Sequence, residues 1–177
     1  MSERQVADIG PLLDNMIRAG RAPDTDELTK MAQTLGKMFG VDADEVAILS
    51  LNSKSKSLKF IIPEKLSMIG SIPLTSTNAL AARTARDRKA ELINNFSGAR
   101  HASVFEGVPL GRSQGETIHK IMSAPILDGT SVMGVIQISR KGHSVAKCGP
   151  DFTPKDLRAL TSLSPALELF LKLCQAE

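Results

Sequence analysis

The chain has 177 residues, 42 % of them apolar, and a formal net charge of +3, enough for one domain with a substantial core. It contains no run of about 18 apolar residues that could span a bilayer, and Glu3 and Asp8 stand where a secretory leader needs a basic and then an apolar stretch, so a soluble, cytoplasmic protein is expected. Cys148 and Cys174 have neither metal-type spacing nor a disulfide pattern, and the absence of Trp and Tyr removes the stacking platforms that single-stranded nucleic acid needs.

In chain order, Val6, Ile9, Leu12, Leu13, Met16 and Ile17 recur at three and four residues, which predicts a helix over residues 3–19 ending at Gly20. A second helix is expected from Thr25, capped by Thr25 or Asp26, with Leu28, Met31, Ala32, Leu35, Met38 and Phe39 on one face and Gly40 as its stop. Residues 45–52 and 58–63 read as two strands joined by the turn SKSKS, a hairpin near the sheet edge whose lysines discourage further pairing. Residues 48–82 hold four Lys/Arg against one acid, so the basic surplus is local and reads as a solvated surface or an anion site rather than a nucleic-acid interface.

Residues 65–75, broken by Gly70 and Pro73, read as a loop packed on the core. A helix over residues 77–88 follows, with small Ala79, Ala81, Ala82 and Ala85 for close approach, then a short strand over 90–94. Leu80, Arg83, Thr84 and Asp87 share one face of that helix, which thereby offers apolar and cationic groups together. Residues 95–116 contain too many glycines and prolines for a regular element, and so long a loop in a compact domain is usually functional.

Two apolar runs, 121–127 and 132–139, flank Asp128-Gly129, the strongest local signal for a β-hairpin. Both runs read as apolar on both faces, which makes this hairpin central, and Gly134 implies a backbone or ligand close above the sheet. The chain ends in a helix capped by Thr153, with Pro154 at its first position, a face of Leu157, Leu160, Leu163, Leu167, Phe170, Leu171 and Cys174, and a kink at Pro165. His119 and His143 are expected in solvent, whereas His101 lies beside Arg100 in the long loop.

The runs SAPILDGTSVMGVIQISRKG and FTPKDLRALTSLSPALELFL resemble the closing half of a GAF domain, and SIPLTSTNALAARTARDRKAELINNF is similar to the family's earlier helix-and-strand region. The resemblance covers about residues 25–173 and implies an α+β fold: a central antiparallel sheet of about six strands, terminal helices on one face and a ligand pocket on the other. Residues 1–22 are then an N-terminal helix and possible dimer element, and 23–177 the GAF domain. Members bind cyclic nucleotides, tetrapyrroles or other small molecules. The cyclic-nucleotide motif falls on Arg140, Lys141, Phe152, Asp156 and Leu157, of which Arg140 and Leu157 depart from it. Phe152 and Asp156 then read as a helix-start anchor and a helix-dipole partner. No Cys lies between residues 52 and 147 to attach a chromophore, and no thiol sits on the pocket side, where the family's free methionine sulfoxide reductases need one.

The expectation is a non-enzymatic, homodimeric sensor that binds a small, anion-bearing ligand and signals through a separate output protein, without nucleic acid or membrane. The alternatives are an enzyme of the free methionine sulfoxide reductase type and a structural dimerisation module with a vestigial pocket. The residues specify no cofactor. The ligand site is expected between the sheet and the 77–88 helix, lined by Phe60, Leu80, Arg83, Thr84, Asn95, Phe96, Arg100, His101 and Phe105, with both arginines holding the anion. The other disposition open to Arg83 is a surface pair with Asp87. The dimer is expected from the apolar stripe of residues 3–19, surplus to what one sheet face needs.

Overall fold

A computed structural model describes residues 2–96 and 117–175 of the chain, with side chains from residue 9. Six strands, β1 (Val46–Asn52), β2 (Ser57–Ile62), β3 (Ser71–Pro73), β4 (Glu91–Ile93), β5 (Thr117–Asp128) and β6 (Ser131–Gly142), form one sheet in the order β3-β2-β1-β6-β5-β4. Every neighbouring pair is antiparallel. The long hairpin forms as expected, Asp128 opposite Ser131, with Gly129 at φ 63° supplying the left-handed turn residue.

The helices α1 (Ser2–Ala19), α2 (Thr25–Phe39), α4 (Pro154–Thr161) and α5 (Ser164–Gln175) cover one face. Their apolar stripes close over Val46, Ile48, Ile62, Met122, Ala124, Ile126, Ile136 and Ile138, the inward positions of four strands, to make the main core. The opposite face carries α3 (Leu80–Asp87), whose Ala81, Ala82 and Ala85 pack on Leu49, Leu58, Phe60 and Val135. Gly134 lies where the sheet is tightest: a Cβ there would stand 2.1 Å from the Leu49 carbonyl oxygen and 2.7 Å from Leu171 Cδ1. The close neighbour implied by that glycine is therefore protein.

Several local expectations need correction. The N-cap of α2 is Asp24, whose carboxylate accepts from Glu27 N while Glu27 accepts from Asp24 N, one residue before the cap read from the sequence. Residues 71–73 are an edge strand, not loop, so β2 is one place in from the edge; Pro73 is tolerated there because an edge residue needs no second ladder donor. Helix α3 begins only at Leu80, with Ala79 at the cap position and no side chain to hold an earlier start. Pro165 interrupts the C-terminal helix instead of kinking it: α4 stops at Thr161, since proline cannot donate to a preceding turn, and Pro165 sits in the first turn of α5. There Ser164 Oγ accepts from Leu127 N at 3.0 Å and ties the new helix to β5.

Part of the apolar stripe of α1 folds back on its own domain: Ile9, Leu13 and Met16 are buried in the main core against α2 and α5, so these residues are not surplus and no longer argue for a dimer. His119 is likewise buried rather than exposed, its Nε2 donating to the Gly142 carbonyl at 2.9 Å, whereas His143 is exposed.

Candidate functional site

On the α3 side of the sheet a short row of polar side chains lies buried among apolar ones. Ser123 on β5 stands opposite Gln137 on β6, which in turn faces Ala47 on β1, and Ser139 lies one pleat further along β6 opposite Ile121. Ser123, Gln137, Ser139 and Thr84 are all buried. Gln137 Nε2 donates to Ser123 Oγ at 3.2 Å, Ser123 and Thr84 hydroxyls share a 2.7 Å hydrogen bond, and Thr84 Oγ1 donates to the Leu80 carbonyl at 3.0 Å. Since Thr84 spends its proton on Leu80, Ser123 is the donor between the two, and the chain runs Gln137, Ser123, Thr84, Leu80. Ser139 Oγ donates to the Glu45 carbonyl at 3.3 Å. These groups form a buried polar floor beside two apolar clusters, one holding Leu80, Phe96 and Ile121 and the other Phe60, Leu49 and Val135.

The residues chosen from sequence meet this floor unequally. Leu80 and Phe96 touch the same cluster as Ile121, and Thr84 is part of the polar chain. Phe60 is buried under the alanines of α3 in a separate cluster. Asn95 is exposed. Arg83 pairs with Glu91 on β4 rather than with Asp87: its Nε donates to Glu91 Oε2 at 2.9 Å, both side chains 30 % exposed. Arg100, His101 and Phe105 lie outside the described residues. Ser123, Gln137 and Ser139 were missed, although their alternation with Met122, Ile136 and Ile138 was a signal of a strand with one polar face.

The GAF domain family model matches residues 25–171. The chain belongs to the GAF domain family. Solved structures agree on the fold. The GAF domain of a phosphoenolpyruvate-protein phosphotransferase from Acinetobacter superposes with a TM-score of 0.65 at 16 % identity, covering 97 % of this chain and 95 % of that one. A methyl-accepting chemotaxis protein, residues 122 to 287, gives 0.60 at 17 %, covering 94 % and 99 %. The free methionine-R-sulfoxide reductase of Neisseria meningitidis, solved with its substrate, gives 0.59 at 15 %, covering 93 % and 88 %. At such identities the likeness is one of fold alone. No curated protein sequence is similar enough to count as a relative.

Within this GAF domain the family-motif positions hold elements together. Phe152 is buried and stacked under the Arg140 guanidinium, 4.6 Å from the ring centre, while Arg140 donates to the Gly40 and Phe39 carbonyls at the end of α2, where a cation suits the helix dipole. Asp156 caps α4 through Thr153 N at 2.8 Å, as expected for a helix-start pair. Asn94 clamps the backbone of Phe152 with two 3.0 Å bonds. The carboxylates of Asp42, Asp44 and Glu45 approach one another, but Glu45 already accepts from Asp42 N at 2.8 Å and Lys141 N at 2.5 Å, and the group reads as a strand-entry cap. Cys148 is buried with Sγ donating to the Val145 carbonyl; burial pushes the Cys174 thiol up to about 12. Among the described residues no helix is long and apolar enough to cross a membrane.

Proposed function

We propose that this GAF domain is a small-molecule sensor that binds its ligand over the polar floor of the α3-side face and passes occupancy to a separate signalling protein. The observation that carries this reading is the buried chain Gln137, Ser123, Thr84 set in an apolar surround, the combination of a few placed polar groups with apolar ones that small-molecule sites use. An anion-bearing ligand remains the expectation from Arg83 and Arg100, with the refinement that at Arg83 the anion competes with Glu91. Burial raises the Cys174 thiol, which disfavours that residue as the thiolate nucleophile of the reductase-type alternative. A homodimer through the terminal helices rests now on Ile17 of α1 and Leu169 of α5, which stay 47 % and 49 % exposed on helices that pack together.

Native mass spectrometry of freshly purified protein, with a thermal-shift screen of wild type and Gln137→Ala, tests the sensor. A co-purifying small molecule lost in the variant supports it; equal ligand responses in both proteins overturn the placement. Cys148→Ser should leave the ligand response intact, whereas loss of a sulfoxide-reducing activity in that variant would establish the enzyme.

A further inference from the structure

The edge strand β4 is bonded to both layers that cover the sheet. Its side chains alternate, so Glu91 and Ile93 turn to the α3 side, where Glu91 bonds Arg83 and Ile93 packs against the cluster of Leu80, Phe96 and Ile121. Leu92 turns the other way and packs on the main core. Asn94 follows and clamps Phe152 from that helical side: its Nδ2 donates to the Phe152 carbonyl and its Oδ1 accepts from Phe152 N, both at 3.0 Å. The clamp suits asparagine, which carries one donor and one acceptor group on a short stem. Three ladder positions, opposite Ser123, Met122 and Ile121, hold β4 to the sheet, and on one side only. So few bonds put the strand at the low end of local stability.

From Phe152 the ties run on into the helical layer. Its chain neighbour Thr153 caps α4. Its ring lies 4.6 Å from the Arg140 guanidinium, whose Nη atoms donate to the Gly40 and Phe39 carbonyls at the end of α2. Arg140 Nε is buried and has no hydrogen-bond partner among the described residues, while the Asp151 carboxylate beside Phe152 goes to Lys120, at 2.7 Å. The polar ties of the guanidinium therefore run to α2, and its aromatic contact to Phe152.

We propose that Asn94 couples the two layers: a shift of β4 on the α3 side carries the Phe152 backbone with it, and so reaches the first turn of α4 and, through Arg140, the end of α2. What shifts the strand is the ligand proposed for the α3-side face, and on that point the coupling rests on that reading; the bonds themselves need no ligand. Coupling through a contact is demonstrated by removing the contact and watching the response vanish.

Amide hydrogen exchange of the full chain, with no ligand added, is the test. Phe96→Leu loosens the α3-side cluster beside β4. It should speed exchange at the bonded amides of Thr153, Asp156 and Leu157 and of Gly40 and Val41, by up to about tenfold, the fold-change that one ordinary hydrogen bond carries. Leu51 and Leu58, paired in the β1–β2 hairpin, should change less, whereas a mere loss of stability would speed them equally. In an Asn94→Ala background the same substitution should leave all these amides at the rates that Asn94→Ala alone gives. Asn94→Asp keeps the acceptor and loses the donor; it should reduce the response, and it serves where the alanine variant does not fold. With Arg140→Lys, Phe96→Leu should still reach Thr153, Asp156 and Leu157 but no longer Gly40 and Val41. No selective response to Phe96→Leu, an undiminished response in the Asn94 variants, or a response of Gly40 and Val41 that survives Arg140→Lys would each overturn the coupling. A selective, Asn94-dependent response in a protein that takes up no small molecule would count against the ligand reading alone.

Discussion

Thr84 on α3 and Ser123 on β5 hold each other through a 2.7 Å hydroxyl–hydroxyl bond that is wholly buried. The helix is thereby bonded directly to the sheet at Thr84. Because Ser123 donates to Thr84 and accepts from Gln137, Ser123→Ala removes partners at both ends, while Thr84→Val strands one donor. Each change should cost about 1–3 kcal/mol, the penalty of leaving a buried polar group unsatisfied, measured by urea unfolding. A double variant close to the sum of the singles would show that the two hydroxyls are not coupled.

The parts of the fold legible in the sequence were those carried by strong local signals. Asp128-Gly129 between apolar runs located the long hairpin, and Thr153-Pro154 with Asp156 located the start of α4. The edge strand Ser71–Pro73 was hidden because three residues ending in proline carry no period and exist only by pairing with β2. The polar floor was hidden for a different reason: β5 and β6 were read as apolar on both faces, which folded Ser123, Gln137 and Ser139 into the core. The Arg83–Glu91 pair joins residues eight apart across a turn, a separation no helical spacing rule reaches.

That pair gives a second prediction. Both side chains are 30 % exposed, so Glu91→Gln should change stability by only about 0–1 kcal/mol. It should, however, release the guanidinium. If an anionic ligand uses Arg83, the carboxylate- or phosphate-induced rise in melting temperature should grow in Glu91→Gln and shrink in Arg83→Ala. Identical anion responses in wild type and both variants would remove Arg83 from the site.

A third concerns α1. With Leu13 and Met16 buried in the main core, Leu13→Ala and Met16→Ala should each cost about 2–5 kcal/mol. Deleting residues 1–22 should lower the melting temperature and uncover apolar surface on α2 and α5 rather than yield a clean monomer. Light scattering and thermal unfolding of the truncated chain decide this: a fully stable, well-behaved product would mean that α1 contributes little to this core.

The last prediction follows from Cys174. Burial raises its thiol from an ordinary 9.0 to about 12, because removing the side chain from water disfavours the thiolate. At pH 8 the folded protein should therefore react with iodoacetamide at Cys174 about 10- to 100-fold more slowly than the unfolded chain, the lost thiolate fraction being partly offset by the higher nucleophilicity of a more basic thiol. The same shift sets a slope in stability. Between pH 9 and 12 the folded state keeps a proton that the unfolded chain releases, so stability falls as pH rises through that window and is unaffected by this group below it. Cys174→Ala should flatten the alkaline part of a urea-midpoint profile relative to wild type and leave the profile below pH 8 parallel. Rapid labelling of Cys174 at pH 8, with peptide mapping to separate it from Cys148, would mean that this helix end opens readily and that the thiol is available for chemistry after all.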